Sequence, residues 1–370
     1  MIFIGQVGDR YTDKLAADYN NLTDSENSVY RFCVTNFSGG EYRVRLVDNP
    51  CHNPKTADVL YKNPTNLARA IAKGEGVVLV VRGKSGDGWD SDKLFGITCQ
   101  ATEILKSGDP EYLGGVRADK LCVVMPHEPC TKQDKLFTYK GKPTRGAVKT
   151  LKMNRRILKL MGVDVLVTVF PHDYRREGWV RKKAYGGKEH EVHTDWSDLE
   201  QDGLYYVEDW KGFAWAVDPT HLIPEYIRRT GIKIDVAVSP DFNASSMCTN
   251  IRKDLGIWET GIRKSRSRKD STQVRTTKRL DPTKIEGRTV GIFDDWVLRG
   301  TTMKSAIKAV KSAGAEKVHC FCIHGEFAGD AHAELRRLGV ELYSTDTIDN
   351  PSAVISTTEQ IAERLRTTFD

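Results

Sequence analysis

What most constrains this chain is a set of short, almost unbroken apolar runs separated by stretches of helical period. They are GVVLVVRG (Gly76–Gly83), LCVVMP (Leu121–Pro126), VLVTVFPH (Val165–His172), IDVAVSPD (Ile234–Asp241), TVGIFDD (Thr289–Asp295) and KVHCFCIHG (Lys317–Gly325). A strand that is apolar on both sides has to be covered on both faces, so these runs predict parallel sheets between layers of helices. The helical stretches agree. Ala147–Met161 places Val148, Leu151, Ile157, Leu158 and Met161 at helical spacing, and Thr302–Ala313 does so with Met303, Ile307 and Val310 before Gly314. The expected class is α/β: two domains of mostly parallel sheet covered by helices, plus inserted loops.

At 370 residues the chain has room for two such cores. The reading divides it into residues 1–176, an insertion or lid over 177–211, and residues 212–370. Two stretches fit the pattern less well: Asp48–Leu121, with its GKSGDGWDSD tract, and the polar, aromatic Tyr174–Lys211. With 39% hydrophobic and 29% charged residues the composition is that of a soluble protein. No apolar run reaches the roughly 20 residues of a membrane span, and the N-terminus lacks the features of a secretory signal. A cytoplasmic location is expected. The eight cysteines form no CxxC pair and several sit inside apolar runs, which reads as buried, reduced thiols rather than a zinc site.

Most of the apolar runs end in chemically able residues: Pro-His-Glu, Pro-His-Asp, Ser-Pro-Asp, Asp-Asp and His-Gly. Open α/β sheets bind ligands beyond the carboxyl ends of their strands, so these groups stand where a site belongs. The most informative stretch is TVGIFDDWVLRGTTMKSAIKAV (Thr289–Val310). It reads as a buried strand, a loop DDWVLRG and an amphipathic helix. Gly300 supplies freedom at the turn, and Thr301 and Thr302 offer hydroxyls and backbone N–H groups to an anion. Asp294 and Asp295 can then hydrogen-bond sugar hydroxyls or reach magnesium beside that phosphate.

The net charge of +6 suits a phosphate-handling protein and is too small to argue for nucleic acid by itself. It is concentrated in RKSRSRKDSTQVRTTKR (Arg263–Arg279). No aromatic interrupts that run, which disfavours single-strand binding by base stacking.

Thr289–Val310 resembles the phosphoribosyl-binding loop of the phosphoribosyltransferase fold. Other stretches, in order, resemble the ribose-phosphate pyrophosphokinase family: FSGGEYRVRL (Phe37–Leu46), VVMPHEPCTKQDKLFTYKGKPTRG (Val123–Gly146), VTVFPHD (Val167–Asp173), VAVSPDFNAS (Val236–Ser245), GIRKSRSRKD (Gly261–Asp270), CIHGEF and STDTI (Ser344–Ile348). The resemblance implies transfer of the β,γ-diphosphoryl group of ATP to the anomeric hydroxyl of ribose 5-phosphate, with magnesium as cofactor. It implies that Lys264 and Arg266 act from a mobile arm (261–280), and that His172 touches magnesium–ATP. Lys132, Gln133 and Asp134 stand at nucleotide-contacting positions. Phe37 and Glu41 belong to a loop that covers adenine from a neighbouring subunit, so a homodimer or larger homo-oligomer is expected. Asp241, Asp294, Asp295, Arg299, Gly300, Thr301 and Thr302 fall on the acceptor side, with His172 and Asp241 as the metal's candidates. His324 reads as structural.

Departures cluster in the loops. Arg299 replaces a small hydroxyl of the phosphate turn, Trp296 replaces a small aliphatic residue, Gly39 an Asp and Lys132 an Arg. An acceptor extended at its 5′ end, such as ADP-ribose, would use an arginine that forks onto a diphosphate and a tryptophan that stacks on a ring. ADP-ribose is therefore the alternative acceptor. Two other classes compete: a transferase that consumes the activated sugar, and a non-catalytic nucleotide-binding regulator. The basic arm and the Lys132–Asp134 segment speak against the first, and the retained Asp294, Asp295, His172, Lys264 and Arg266 against the second.

Overall fold

The structure, a computed structural model, describes residues 1–38, 40–48, 64–85, 91–130, 150–171, 213–241, 244–261 and 280–369. It also describes short backbone strands at 138–139, 142–143, 180–185, 188–193, 263–266 and 274–278.

In chain order the first half comprises β1 (Ile2–Gln6), α1 (Tyr11–Thr23), β2 (Ser28–Asn36), β3 (Tyr42–Val47), α2 (Thr65–Ala72), β4 (Val77–Val80) and β5 (Gly83–Lys84). There follow α3 (Ser91–Lys106), α4 (Pro110–Leu113), β6 (Leu121–Met125), the small pair β7 (Thr138–Tyr139) and β8 (Lys142–Pro143), α5 (Thr150–Leu160) and β9 (Val165–Val169). After the antiparallel pair β10 (Val180–Tyr185) and β11 (Lys188–His193) comes β12 (Ala214–Val217). Seven strands form one sheet in the order β12-β9-β6-β4-β1-β2-β3, parallel except for the β2–β3 hairpin at its edge. Its central strands β4, β6 and β9 are buried at every position, as their composition predicts.

The second half comprises α6 (Leu222–Thr230), β13 (Val236–Ser239), α7 (Ser245–Leu255), β14 (Trp258–Gly261), the ribbon β15 (Arg263–Arg266) and β16 (Val274–Lys278), β17 (Thr289–Val297) and α8 (Thr301–Ser312). It continues with β18 (Lys317–Gly325), α9 (Ala331–Arg336), β19 (Glu341–Thr345), β20 (Ile348–Asp349), β21 (Ala353–Ile355) and α10 (Thr358–Phe369). Its six-stranded sheet, order β14-β13-β17-β18-β19-β21, is parallel throughout. Helix α8 buries Met303, Ala306, Ile307 and Val310, the i, i+3, i+4, i+7 face that its sequence shows. Each of its larger side chains contributes roughly 1.5–3 kcal/mol by leaving water.

Three details revise the sequence reading. Asp48–Leu121 is not simply an insertion, because β4 sits inside the first sheet and α3 packs along β3. That packing requires Gly96, where a Cβ would lie 1.7 Å from the Tyr42 hydroxyl. The boundary at 212 also shifts. Ala214–Val217 pairs in parallel with Leu166–Val169 and completes the first sheet. Finally, α10 leaves the second half and lies against α1, with the Thr358 hydroxyl donating to Asp18 at 2.6 Å. A chain that crosses back this way ties the halves together. Their shared core includes Phe3, Leu15, Val167 and Ile223 beside Phe293, Phe321 and Ile361.

The seven described cysteines are free, and Cys122, Cys130, Cys248, Cys320 and Cys322 are buried. Burial pushes the Cys122, Cys320 and Cys322 thiols up, which keeps them protonated.

Candidate functional site

The carboxyl ends of the two sheets meet. Residues following β4, β6 and β9 touch residues at the ends of β17, β18 and β19, and β5 pairs with β20 across the boundary.

On the second-half side, β17 runs on through Trp296 and Val297 because β18 keeps pairing with it, Trp296 opposite His324 and Val297 opposite Gly325. The expected loop DDWVLRG is therefore mostly strand, and only Leu298, Arg299 and Gly300 form the turn. In a strand, adjacent side chains leave opposite faces. That separates the two carboxylates and removes the repulsion that their adjacency implies. Asp294 is buried and accepts a bond from its neighbour's amide at 3.1 Å. Asp295 is half-buried and close enough to His324 to favour a proton there.

Gly300 takes the left-handed conformation (φ 66°), which a side chain would strain. A Cβ there would also press on Leu335 at 3.1 Å. Helix α8 starts directly after it with no side chain capping its first turn. Those amides, with Thr301 exposed, Thr302 half-buried and Arg299 exposed beside them, form a ready place for a phosphate. Asp241 follows β13, the strand next to β17. It is half-buried and accepts from the Ala244 amide at 3.2 Å. Asp241, Asp294, Asp295 and the 299–302 turn are thus gathered at one end of one sheet.

The first-half side is anchored more elaborately. His127 and Glu128 follow β6. Glu128 is gripped by Arg155 of α5 in a buried fork, Nε to Oε1 at 2.8 Å and Nη2 to Oε2 at 2.6 Å. Cys130 then turns with φ 63°. Lys132, Gln133 and Asp134 lie outside the described residues, as does His172. The chain is described as far as Pro171. Phe170 has φ 38°, an uncommon value for a bulky residue, its amide donates to Val217 O at 2.9 Å, and its carbonyl accepts from His324 Nε2 at 3.0 Å.

The junction is filled by rings. The Trp296 indole N–H donates to Glu326 at 3.0 Å, and its ring centroid is 5.2 Å from that of His127. His127 in turn is 4.5 Å from His324, and its Nε2 is 3.9 Å from Glu326. Trp296 therefore lies in the wall between the halves, against His127, and is not turned out to stack on an acceptor. Burial pushes His324 down to about 4, so the ring is neutral near pH 7. A carbonyl can only accept, so the proton sits on Nε2, and Thr347 Oγ1, 2.9 Å from Nδ1, is the donor there.

Lys264 and Arg266 lie on β15, whose backbone pairs antiparallel with β16; their side chains are outside the described residues. Phe37 and Glu41 face each other across the tip of the β2–β3 hairpin, with Phe37 N donating to Glu41 O at 2.8 Å and Phe37 46% exposed. Strand β2 is three spacings from β6, on the order of 14 Å. Within one chain these two residues stand apart from the junction.

Sequence reasoning missed a polar seam between the halves. Arg82 pairs with Asp9, donates to the Asp346 carbonyl at 3.1 Å and lies 5.0 Å over the Tyr11 ring. The Tyr11 hydroxyl meets that of Thr357 at 2.9 Å. Burial raises the Asp9 carboxyl and the Arg82 charge opposes that rise. Arg82 at the end of an apolar run was the one available signal.

Among the described residues no three His, Cys, Asp or Glu side chains could hold a metal ion. Magnesium does not need such a cage. It keeps most of its waters and takes one or two carboxylates together with substrate phosphates. Asp241, a half-buried carboxylate at the strand ends, fits that demand.

These two halves, with an anion-ready turn closing a parallel sheet, define the phosphoribosyltransferase class of α/β fold, and the phosphoribosyl transferase domain family matches residues 207–360. The chain is 31% identical over 154 residues to a ribose-phosphate pyrophosphokinase of Methanosarcina acetivorans, covering 41% of this chain and 53% of that protein. A ribose-phosphate pyrophosphokinase of Pyrococcus furiosus is 27% identical over 263 residues, 71% of this chain and 78% of its own. The chain spans about half the length of the first two curated relatives it matches, 53% and 50%. A solved phosphoribosylpyrophosphate synthetase from Mycobacterium smegmatis shares the fold at a TM-score of 0.63 with 19% identity, covering 100% of this chain and 98% of that one. Over these spans the chain is similar to ribose-phosphate pyrophosphokinases, and it shares the fold of a solved phosphoribosylpyrophosphate synthetase.

Proposed function

We propose that this chain transfers the β,γ-diphosphoryl group of ATP to the anomeric 1-hydroxyl of ribose 5-phosphate. The 1-oxygen forms a bond to the β-phosphorus, the bond from that phosphorus to the bridging α,β-oxygen breaks, AMP departs and the hydroxyl proton passes to solvent or a base. The observation that carries this reading is the uncapped α8 turn beside Asp294 and Asp295, set against the strand ends of the other half.

The roles follow from chemistry. The amides of the α8 turn, with Thr301 and Thr302, would hold the 5-phosphate, and Asp294 and Asp295 would accept hydrogen bonds from the sugar hydroxyls. Lys264 and Arg266, on a ribbon that leaves the edge strand β14, would close over the polyphosphate and meet the charge that develops there. Lys132, Gln133 and Asp134 would orient the nucleotide. His172 and Asp241 would hold magnesium, which when bound neutralises phosphoryl charge. Phe37 and Glu41 would serve a neighbouring subunit's nucleotide, since their own chain keeps them apart from the junction. This makes a homo-oligomer part of the proposal. So is a cytoplasmic location, where ATP is at hand; no helix among the described residues is long and apolar enough to cross a membrane.

A second acceptor has one observation in its favour: Arg299 is exposed at the phosphate turn, where a diphosphate could be forked. ADP-ribose offers the same 1-hydroxyl with that diphosphate attached. Purified protein with ATP and magnesium, given each sugar separately, decides by phosphorus NMR. An anomeric diphosphate on ribose 5-phosphate is expected. Product from ADP-ribose alone moves the activity to the extended acceptor, and AMP from neither leaves a nucleotide-binding regulator.

A further inference from the structure

A cavity of about 270 Å³ opens between α1, α6 and the segment that joins β21 to α10. It straddles both halves and shares no residue with the transfer site proposed above. Helix spacing builds two of its walls: Lys14 and Asp18 are one turn apart on α1, and Glu225 and Arg229 one turn apart on α6. Buried Leu222 and Ile355, with the half-buried Tyr226, give it an apolar lining. The α10 side is tied down. Ser356 Oγ donates to Asp346 at 2.9 Å, the Thr357 amide to the same carboxylate at 2.8 Å, and the Thr358 hydroxyl to Asp18 at 2.6 Å.

Charge decides what fits. Asp18 is engaged by Thr358, which leaves Glu225 and Glu359 against Lys14 and Arg229, two charges of each sign. All four are exposed, and among the described residues none of these side chains forms an ion pair. The neighbouring Arg228, by contrast, pairs with Asp254. Opposite charges that line one cavity without meeting can be met by a third group that carries both signs. A phosphate would suit the cations and be repelled by the acids; a polyamine would do the reverse. No three His, Cys, Asp or Glu side chains among the described residues gather to hold a metal ion. The volume lies just under the roughly 300–1,000 Å³ of pockets that take drug-sized ligands, which suits a small molecule.

We propose that this cavity binds a free α-amino acid with an apolar or aromatic side chain. Glu225 and Glu359 receive its ammonium, Lys14 and Arg229 its carboxylate, and Leu222, Ile355 and Tyr226 its side chain.

The test titrates L-leucine, L-isoleucine, L-phenylalanine and L-tryptophan into the full chain by calorimetry, without ATP or sugar. Inorganic phosphate and spermidine serve as probes of a single sign. At least one amino acid should bind with a Kd of about 10 μM to 1 mM. Its N-acetyl and methyl ester derivatives, each lacking one charge, should bind at least about tenfold more weakly. Glu225→Gln and Arg229→Gln remove one exposed charge each and should leave the melting temperature unchanged. Each should weaken the amino acid by about tenfold or more, while Arg228→Gln should not. On the unaltered protein, the bound amino acid should slow amide exchange in residues 11–23 and 222–230. That footprint decides the matter should a variant lose stability. Four results overturn the proposal: no amino acid binding tighter than about 10 mM, phosphate or spermidine binding as well, wild-type affinity in both glutamine variants, or an occupant that protects neither helix.

Discussion

The two sides of the junction are built by different means. The proposed acceptor side is local: Asp294 to Thr302 is nine consecutive residues on one strand, one turn and one helix start, ordered by a single glycine conformation. The proposed nucleotide side is assembled from afar. Glu128 depends on Arg155, Phe170 on Val217 and on His324, and His127 on Trp296 and Glu326. The lesson is that a strand, turn and helix start can be written into one short segment, whereas the facing surface borrows its rigidity from neighbours. Damage should differ accordingly. Changes at the acceptor turn should act on one substrate's binding, and changes at the borrowed contacts on stability and turnover together.

The largest effect should come from Arg155→Met. It leaves the Glu128 carboxylate buried without its fork, and unfolding in urea should show a loss of about 3–5 kcal/mol. Adding Glu128→Gln should recover much of it; equal losses in single and double variants would mean that the pair does not anchor the loop. Next, Lys264→Ala should lower kcat by on the order of 10²–10³-fold with ATP affinity by calorimetry little changed. Unaltered turnover would remove the arm from the chemistry.

Acid should then separate the halves' contributions. His324 titrates at about 4 in the folded chain against 6.5 in the unfolded one. The unfolded state takes up its proton first, so the stabilisation is complete above pH 6.5 and is lost as pH falls toward 4. The span is worth about 3 kcal/mol. Wild type should lose stability over this window more steeply than His324→Gln, in melting curves taken from pH 7 to 4.5. Parallel curves would show that the histidine is not held neutral.

Gly300→Ala should cost about 1–2 kcal/mol for the left-handed backbone and raise KM for ribose 5-phosphate more than it lowers kcat. The smallest change is expected for Arg299→Ala with ribose 5-phosphate, a few-fold in KM. A much larger loss with ADP-ribose would sharpen the comparison by marking Arg299 as the extended acceptor's anchor.

Much of this was legible early. The runs at 77–80, 121–125, 165–169, 236–239 and 317–325 declare parallel, doubly covered strands because most of their positions, on both faces, carry apolar side chains. The α8 turn was legible for the same local reason, since Arg-Gly-Thr-Thr after a buried strand leaves the chain few other courses. The length of β17 was not. Its extension past Asp295 depends on hydrogen bonds to Gly325 and His324, which no inspection of Asp-Asp-Trp contains. Within residues 48–121 the run at 77–80 was legible, whereas the GKSGDGWDSD tract hides the start of α3 that follows it. Ala214–Val217 is too short to announce itself as a sheet strand, and only pairing with Leu166–Val169 makes it one.

The sequence by itself determined the class of fold, the direction in which the strands present their chemistry, and the strand–turn–helix course of residues 289–312. Each of these depends on side-chain periodicity or on backbone preferences within a few residues. Only the tertiary structure decided which residues face one another across the junction. His324 reaches Phe170 over 154 residues of chain and Arg82 reaches Asp346 over 264. Contacts at such separations are set by how two packed layers settle against each other. That is a property of shapes and buried surfaces, and leaves no spacing in the sequence to read.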